Sequence, residues 1–198
     1  AQGVMDVERA ALVIVDLQND FCPGGALPVP GGHDIVSVVN GVAARFQAAG
    51  RPVVATQDWH PPDHVSFQTR GGPWPVHCVQ GTPGAKLHPL LRREPITHIV
   101  RKAYRRDEEA YSGFQGTGLA ELLRALGVEE VYVCGLAMDV CVNFTALDAS
   151  RAGFRTAILE DATRPVFPEQ VADKRRAWEE AGIRVLRAAE LAGVPTGS

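Results

Sequence analysis

The sequence predicts an α/β fold, a single doubly wound domain spanning all 198 residues. Three observations predict it. Six short runs rich in Val, Ile and Leu alternate with longer stretches of helical period, which is the pattern of βαβ units around a parallel sheet. Each helical stretch stops on a glycine just before the next run. No long linker or internal repeat interrupts the order, and a hydrophobic content of 45% is enough to bury one sizeable core.

The first run, ALVIV (11–15), is apolar at every position and suits a strand covered on both faces. Residues 34–49 then place Ile35, Val38, Val39, Val42 and Phe46 on one helical stripe, closed by Gly50. PVVAT (52–56) is the second strand and THIVR (97–101) the third. Helices are expected over 119–126, 139–152 and 168–181, stopped by Gly127, Gly153 and Gly182. They alternate with strands VYVCG (131–135), RTAIL (155–159) and IRVLR (183–187). Residues 57–96 and 103–118 break the rhythm: they hold most of the His, Pro, Gly and Trp and show no period. Loops this long inside a compact domain usually carry function.

Composition excludes several classes of partner. Twenty Lys plus Arg against 23 Asp plus Glu give a net charge of -3 with both signs dispersed, so no basic field exists for a nucleic acid. The longest wholly apolar run, Ala10 to Val15, is far short of the roughly 20 residues of a membrane helix. Four scattered cysteines, Cys22, Cys78, Cys134 and Cys141, suit free thiols in a reducing compartment. The first ten residues show no apolar leader core, and the expectation is a cytoplasmic protein.

In open α/β sheets, ligands bind beyond the carboxyl ends of the strands. The first run ends in Asp16, the second leads through Gln57 to Asp58, the third ends in Lys102, and the fourth leads through GLAMDV to Cys141 at a helix start. A helix N-terminus and a nearby ammonium favour a thiolate, and a nearby carboxylate could take the thiol proton. Cys141, Lys102 and Asp16 therefore form a candidate nucleophile with its own acid and base. Cys134, inside a strand, suits core packing. A second constellation is DWHPPDH followed by WPVHC. Asp58 and His60, two apart in an extended segment, share a side and could bind a metal with His77, and His64 offers a possible fourth ligand. Such oxygen and nitrogen donors suit Zn, Mn or Fe. His33, His88 and His98 have no such company.

Six blocks together resemble the nicotinamidases, the metal-containing members of the isochorismatase-like cysteine hydrolases. They are VDLQNDFCPGGAL (15–27), ATQDWHPPDHVSF (55–67), WPVHCVQGTPGA (74–85), RKAY (101–104), YSGFQGTGL (111–119) and VCGLAMDVCVNFTALDA (133–149). The resemblance implies a six-stranded parallel sheet of order 3-2-1-4-5-6, flanked by helices. It assigns Asp16, Lys102 and Cys141 to the catalytic triad and Asp58, His60 and His77 to one divalent metal, zinc first, with His64 ligating directly or through water. It implies an oxyanion hole from the N–H groups of Ala137 and Cys141, with a cis peptide at Leu136–Ala137. Phe21, Trp74 and Tyr111 match positions that line the ring pocket.

The implied activity is hydrolysis of nicotinamide to nicotinate and ammonia through a cysteine thioester, a step of NAD salvage, with pyrazinamide-like amides also accepted. A small molecule is the expected partner, with no nucleic acid or membrane, and the chain is expected to form a homo-oligomer. The alternative is a metal-free amidohydrolase of the same superfamily acting on ureido or carbamoyl substrates. Two departures stand out: Ala103 where the family often has glycine, and the charged segment RRDEEA (105–110), either of which could reshape the pocket entrance.

Overall fold

A computed structural model describes residues 7–191. Six strands form one parallel sheet: β1 (Ala10–Val15), β2 (Val53–Asp58), β3 (His98–Lys102), β4 (Glu130–Leu136), β5 (Arg155–Arg164) and β6 (Arg184–Leu186). Their spatial order is β3-β2-β1-β4-β5-β6, so the order reverses between β1 and β4, as expected for a doubly wound sheet. The helices are α1 (Val36–Ala48), α2 (Leu119–Ala125), α3 (Cys141–Arg151) and α4 (Val171–Glu180).

The continuous apolar runs follow from coverage of both faces. In β1, Ala10, Leu12 and Ile14 pack into one core with Val39 and Phe46 of α1, while Ala11, Val13 and Val15 pack into the other. That second core contains Leu119 and Leu123 of α2, Val142 and Ala146 of α3, and Trp178 of α4. The outermost strands differ from the expectation of two-sided burial. In β3 Ile99 is 53% exposed, and β6 has no fully buried residue, because an edge strand lacks neighbours on one side.

Three helices, α1, α3 and α4, begin two or three residues later than their apolar stripes suggested. Gly32–Ile35 and Pro168–Gln170 form 3₁₀ turns that feed α1 and α4. The glycines expected to stop the four helices all have positive φ. Gly135 has a different cause: a Cβ there would collide with the backbone of Val15, so only glycine lets β4 lie this close to the end of β1. The crossover from β2 to β3 carries no α-helix. It is the long segment 59–97, which folds over the carboxyl ends of the strands and supplies Phe67, Cys78 and Leu87 to buried positions. No helix among the described residues is long and apolar enough to cross a membrane.

Candidate active site

The carboxyl ends of β1, β2 and β3 and the start of α3 bring four functional groups together. Asp16 follows β1 with a φ of 46°, a left-handed turn that costs a non-glycine residue about 1–2 kcal/mol and takes its side chain out of the strand direction. Its N–H donates to Thr56 O at 3.1 Å, and Thr56 Oγ1 donates to Asp16 Oδ1 at 2.7 Å. Lys102 ends β3, and the parallel register sets it directly beside Asp58. Its Nζ lies 2.8 Å from Asp16 Oδ2, 2.5 Å from Asp58 Oδ1 and 3.5 Å from Cys141 Sγ, and it donates to Ala110 O at 3.2 Å. Asp16 Oδ2 is held by its ion pair with the ammonium and has no other assigned donor, so it is the carboxylate oxygen placed to take a proton inside the site. Asp16, Asp58 and Cys141 have donor atoms within 4.8 Å of one another, and the Lys102 ammonium fills the cation position they create.

Burial decides the resting protonation states. It pushes Asp16 above the ordinary carboxylate range, with Asp58 adding to the effect of desolvation against the opposing Lys102. Desolvation also holds the Cys141 thiol well above its usual range, outweighing Lys102. The resting residue is thus a thiol. The expectation of a thiolate, drawn from the helix start and the nearby ammonium, underweighted desolvation. Lys102 would be depressed by its burial, yet Asp16 and Asp58 hold it well above the usual ammonium range. It remains charged and acts as a fixed cation.

Beside this group, Asp58, His60 and His77 place three buried donor atoms within 4.8 Å of one another. The His60 and His77 Nε2 atoms lie 3.4 and 3.7 Å from Asp58 Oδ2. Each ring is oriented through its other nitrogen: His60 Nδ1 donates to Ala103 O at 3.0 Å and His77 Nδ1 to Pro75 O at 2.7 Å. Carbonyls accept only, so both Nε2 atoms can present lone pairs inward beside a carboxylate oxygen. That arrangement fits a divalent metal, zinc above all, with coordination positions left open. Ala103 reaches the first of these bonds from a φ of 54°, which explains why glycine would suit its position.

His64 stands apart from these three. Its Nε2 donates to Glu108 O at 2.7 Å, its Nδ1 pairs with Ser66 Oγ at 2.7 Å, and its ring stacks on His60 with centroids 4.1 Å apart. Both nitrogens are occupied within the protein, so in this geometry His64 supports the ligand set from outside.

A cleft of about 430 Å³, counting its open mouth, joins the two groups. Phe21, Trp74 and Tyr111 wall it, Cys141 and His77 sit within it, and Trp74 Nε1 donates to Tyr111 Oη at 3.0 Å. Ala137 also lines it, after a cis Leu136–Ala137 peptide. Cys141 opens α3, so its N–H has no partner inside the helix.

Sequence reasoning missed four contributors. Gln18 binds both backbone atoms of Asp58: Oε1 accepts Asp58 N–H and Nε2 donates to Asp58 O, each at 2.9 Å. Thr56 holds Asp16, as described above. Asp20 accepts Ala26 N–H and Cys78 N–H, tying the first loop to the metal loop. Glu109 lines the cleft. Gln18 and Asp20 lie within four residues of Asp16 in one matched block, Thr56 lies two residues before Asp58 in another, and Glu109 falls in the charged 105–110 segment, so each had a usable signal.

Comparison with known proteins gives the family of the chain. The isochorismatase domain family matches residues 10–192. The nicotinamidase/pyrazinamidase of Mycobacterium tuberculosis is 46% identical over 185 residues, covering 89% of this chain and 97% of its own. The pyrazinamidase of Pyrococcus horikoshii, solved in complex with zinc, superposes with a TM-score of 0.86 at 47% identity, covering 90% of this chain and 99% of the other. PnC1 of L. infantum, solved in complex with nicotinate, gives a TM-score of 0.89 at 40% identity, covering 94% and 96%.

Proposed function

The chain belongs to the isochorismatase family, and from that premise we propose that it is an amidohydrolase converting nicotinamide to nicotinate and ammonia. One observation carries the reading. Asp16, Lys102 and Cys141 meet at one end of an aromatic-walled cleft that also contains two members of the candidate metal set. A flat heteroaromatic amide has a place in such a cleft for both its ring and its carbonyl.

Bound by Asp58, His60 and His77, a divalent ion supplies a Lewis acid that can anchor a pyridine nitrogen. The remaining chemistry falls to the chain itself. Asp16, raised by burial, accepts the Cys141 proton as sulfur attacks the amide carbon. The Lys102 ammonium, paired with two carboxylates, keeps the negative charge of this transfer tolerable in a buried site. The N–H groups of Ala137 and Cys141 meet the oxygen that becomes negative. Asp16 returns its proton to the leaving nitrogen, ammonia departs, and a thioester to Cys141 remains. Water then attacks that carbonyl, giving one proton to Asp16, which passes it on to restore the thiol, and its second proton is released to solvent as the acid product ionises to the carboxylate.

The test is ammonia release from nicotinamide by the metal-loaded protein. Wild type should turn over, and Cys141→Ala should fall by about 10⁴-fold or more with metal content unchanged. No ammonia from wild type, or full turnover by the variant, would overturn the reading.

A further inference from the structure

Glu109 belongs to the charged segment that set this chain apart from its resemblance, and it has no part in the mechanism above. The segment is not a loose flap. Val65 N–H donates to Arg106 O at 2.9 Å, Arg70 Nη1 donates to Asp107 Oδ1 at 3.0 Å, and His64 holds Glu108 O. Gln115 Nε2 donates to Glu109 O at 3.0 Å, and the Ala110 N–H donates to Glu109 Oε1 at 3.0 Å. Glu109 is therefore fixed in the wall of the cleft.

The charges around that cleft are unequal. Among the described residues lining it, Asp58 and Glu109 are acidic and none is Arg or Lys. Asp58 pairs with Lys102, which lies fully buried outside the lining and is shared with Asp16. Among the described residues Glu109 takes an N–H but forms no salt bridge, and His60 and Lys102 act on it only at longer range. The proposed reaction turns a neutral amide into an anion inside this cleft, so substrate and product differ by one unit of charge, and Glu109 is the lining carboxylate that belongs neither to the Lys102 pair nor to the candidate metal set.

We propose that Glu109 sets the charge selectivity of the cleft: it admits neutral amides, turns away amides that bear a carboxylate, and speeds departure of the carboxylate product. The inference rests on the amidase reading above and deepens it from a reaction to a substrate class. Repulsion between unit charges on the order of 8 Å apart, at an effective dielectric of about 20, corresponds to roughly thirtyfold in binding. Screening and relaxation reduce this, and about tenfold is the expected size. Selectivity of this kind works by an unfavourable contact with the wrong ligand.

The experiment compares nicotinate and nicotinamide on metal-loaded wild type, Glu109→Gln and Glu109→Asp. The readout is the ratio of nicotinate Ki to nicotinamide KM. The ratio should fall about tenfold in Glu109→Gln and return toward wild type in Glu109→Asp, which keeps the charge. The kcat/KM for a pyridine amide carrying a second, ring carboxylate, relative to nicotinamide, should rise by a similar factor in Glu109→Gln. If Glu109→Gln does not fold, Glu109→Ala gives the same readout. A ratio within twofold of wild type in the neutral variant overturns the inference. Wild-type turnover of nicotinamide is scored separately, so loss of the amidase reading and loss of the charge-selectivity reading give different results.

Discussion

The two halves of the site are built differently. The Asp16, Lys102 and Cys141 half is carried by the ends of β1 and β3 and the first residue of α3, and its distances follow from the register of a parallel sheet. In the metal half, only Asp58 sits on a strand; His60 and His77 are aimed from the 59–97 segment by backbone carbonyls. The first half needs the fold. The second needs the fold and, in addition, local hydrogen bonds that orient each ring. Substitutions in the first should therefore stop chemistry and leave metal binding intact, whereas those in the second should lose the metal and leave the thiol reactive.

Asp16→Asn breaks the comparison most severely. The amide cannot accept the thiol proton, and turnover should drop by about 10³-fold or more with one metal per chain retained, checked by ammonia release beside elemental analysis. Loss of the metal together with turnover would show the halves to be a single unit. The same carboxylate sets a pH effect. Because burial raises Asp16, it takes up a proton at a higher pH than an exposed aspartate, whose value is about 4. Protonated Asp16 is no base, so kcat/KM should fall on the acid side while an ordinary carboxylate would still be ionised. An acid limb at or below about 4 would mean that Lys102 outweighs desolvation at this position.

Removing metal, by chelation or through His77→Ala, is the next largest change. Metal content should fall well below one per chain, and kcat/KM for nicotinamide should drop by about 10²-fold. Alkylation of Cys141 should continue at a rate within about threefold of wild type, since the sulfur takes its hydrogen bond from Lys102 and the metal donor Asp58 lies within 4.8 Å of it without a hydrogen bond. A thiol that also lost its reactivity would place Asp58, which contacts both His60 and Lys102, at the centre of one coupled network.

How much of this was legible in the sequence divides along the same line. Strand ends and a helix start are written in residue type, so Asp16, Lys102 and Cys141 stood out before any coordinates, and the resemblance supplied the strand order. The aromatic walls also stood out, because Trp74 and Tyr111 lie in matched blocks. The orientation of His60 and His77 did not, since Ala103 O and Pro75 O are backbone atoms and leave no trace in side-chain identity. Nor did the resting state of Cys141: a helix start and a lysine both argue for a thiolate, and only burial reverses the balance. The edge exposure of β3 is hidden for a related reason, since Ile99 reads as core until the sheet order puts it at the rim.

His64 offers the smallest and most discriminating change. It lies in the same block as Asp58 and His60, and residue type alone cannot separate a ligand from a neighbour. Its geometry does: Glu108 O accepts from Nε2, Ser66 Oγ meets Nδ1, and the ring rests against His60. Burial lowers its pKa, so the ring stays neutral and keeps one donor for the carbonyl. A residue acting in this way fixes the position of a ligand and of the 105–110 segment without holding the ion. His64→Ala should retain one metal per chain at saturation, weaken metal affinity by about tenfold, and lower kcat/KM by less than His77→Ala does. Equilibrium metal titration of the two variants side by side separates the cases. Equal loss in both would make His64 a ligand in the loaded protein, with its bond to Glu108 O exchanged for one to the metal.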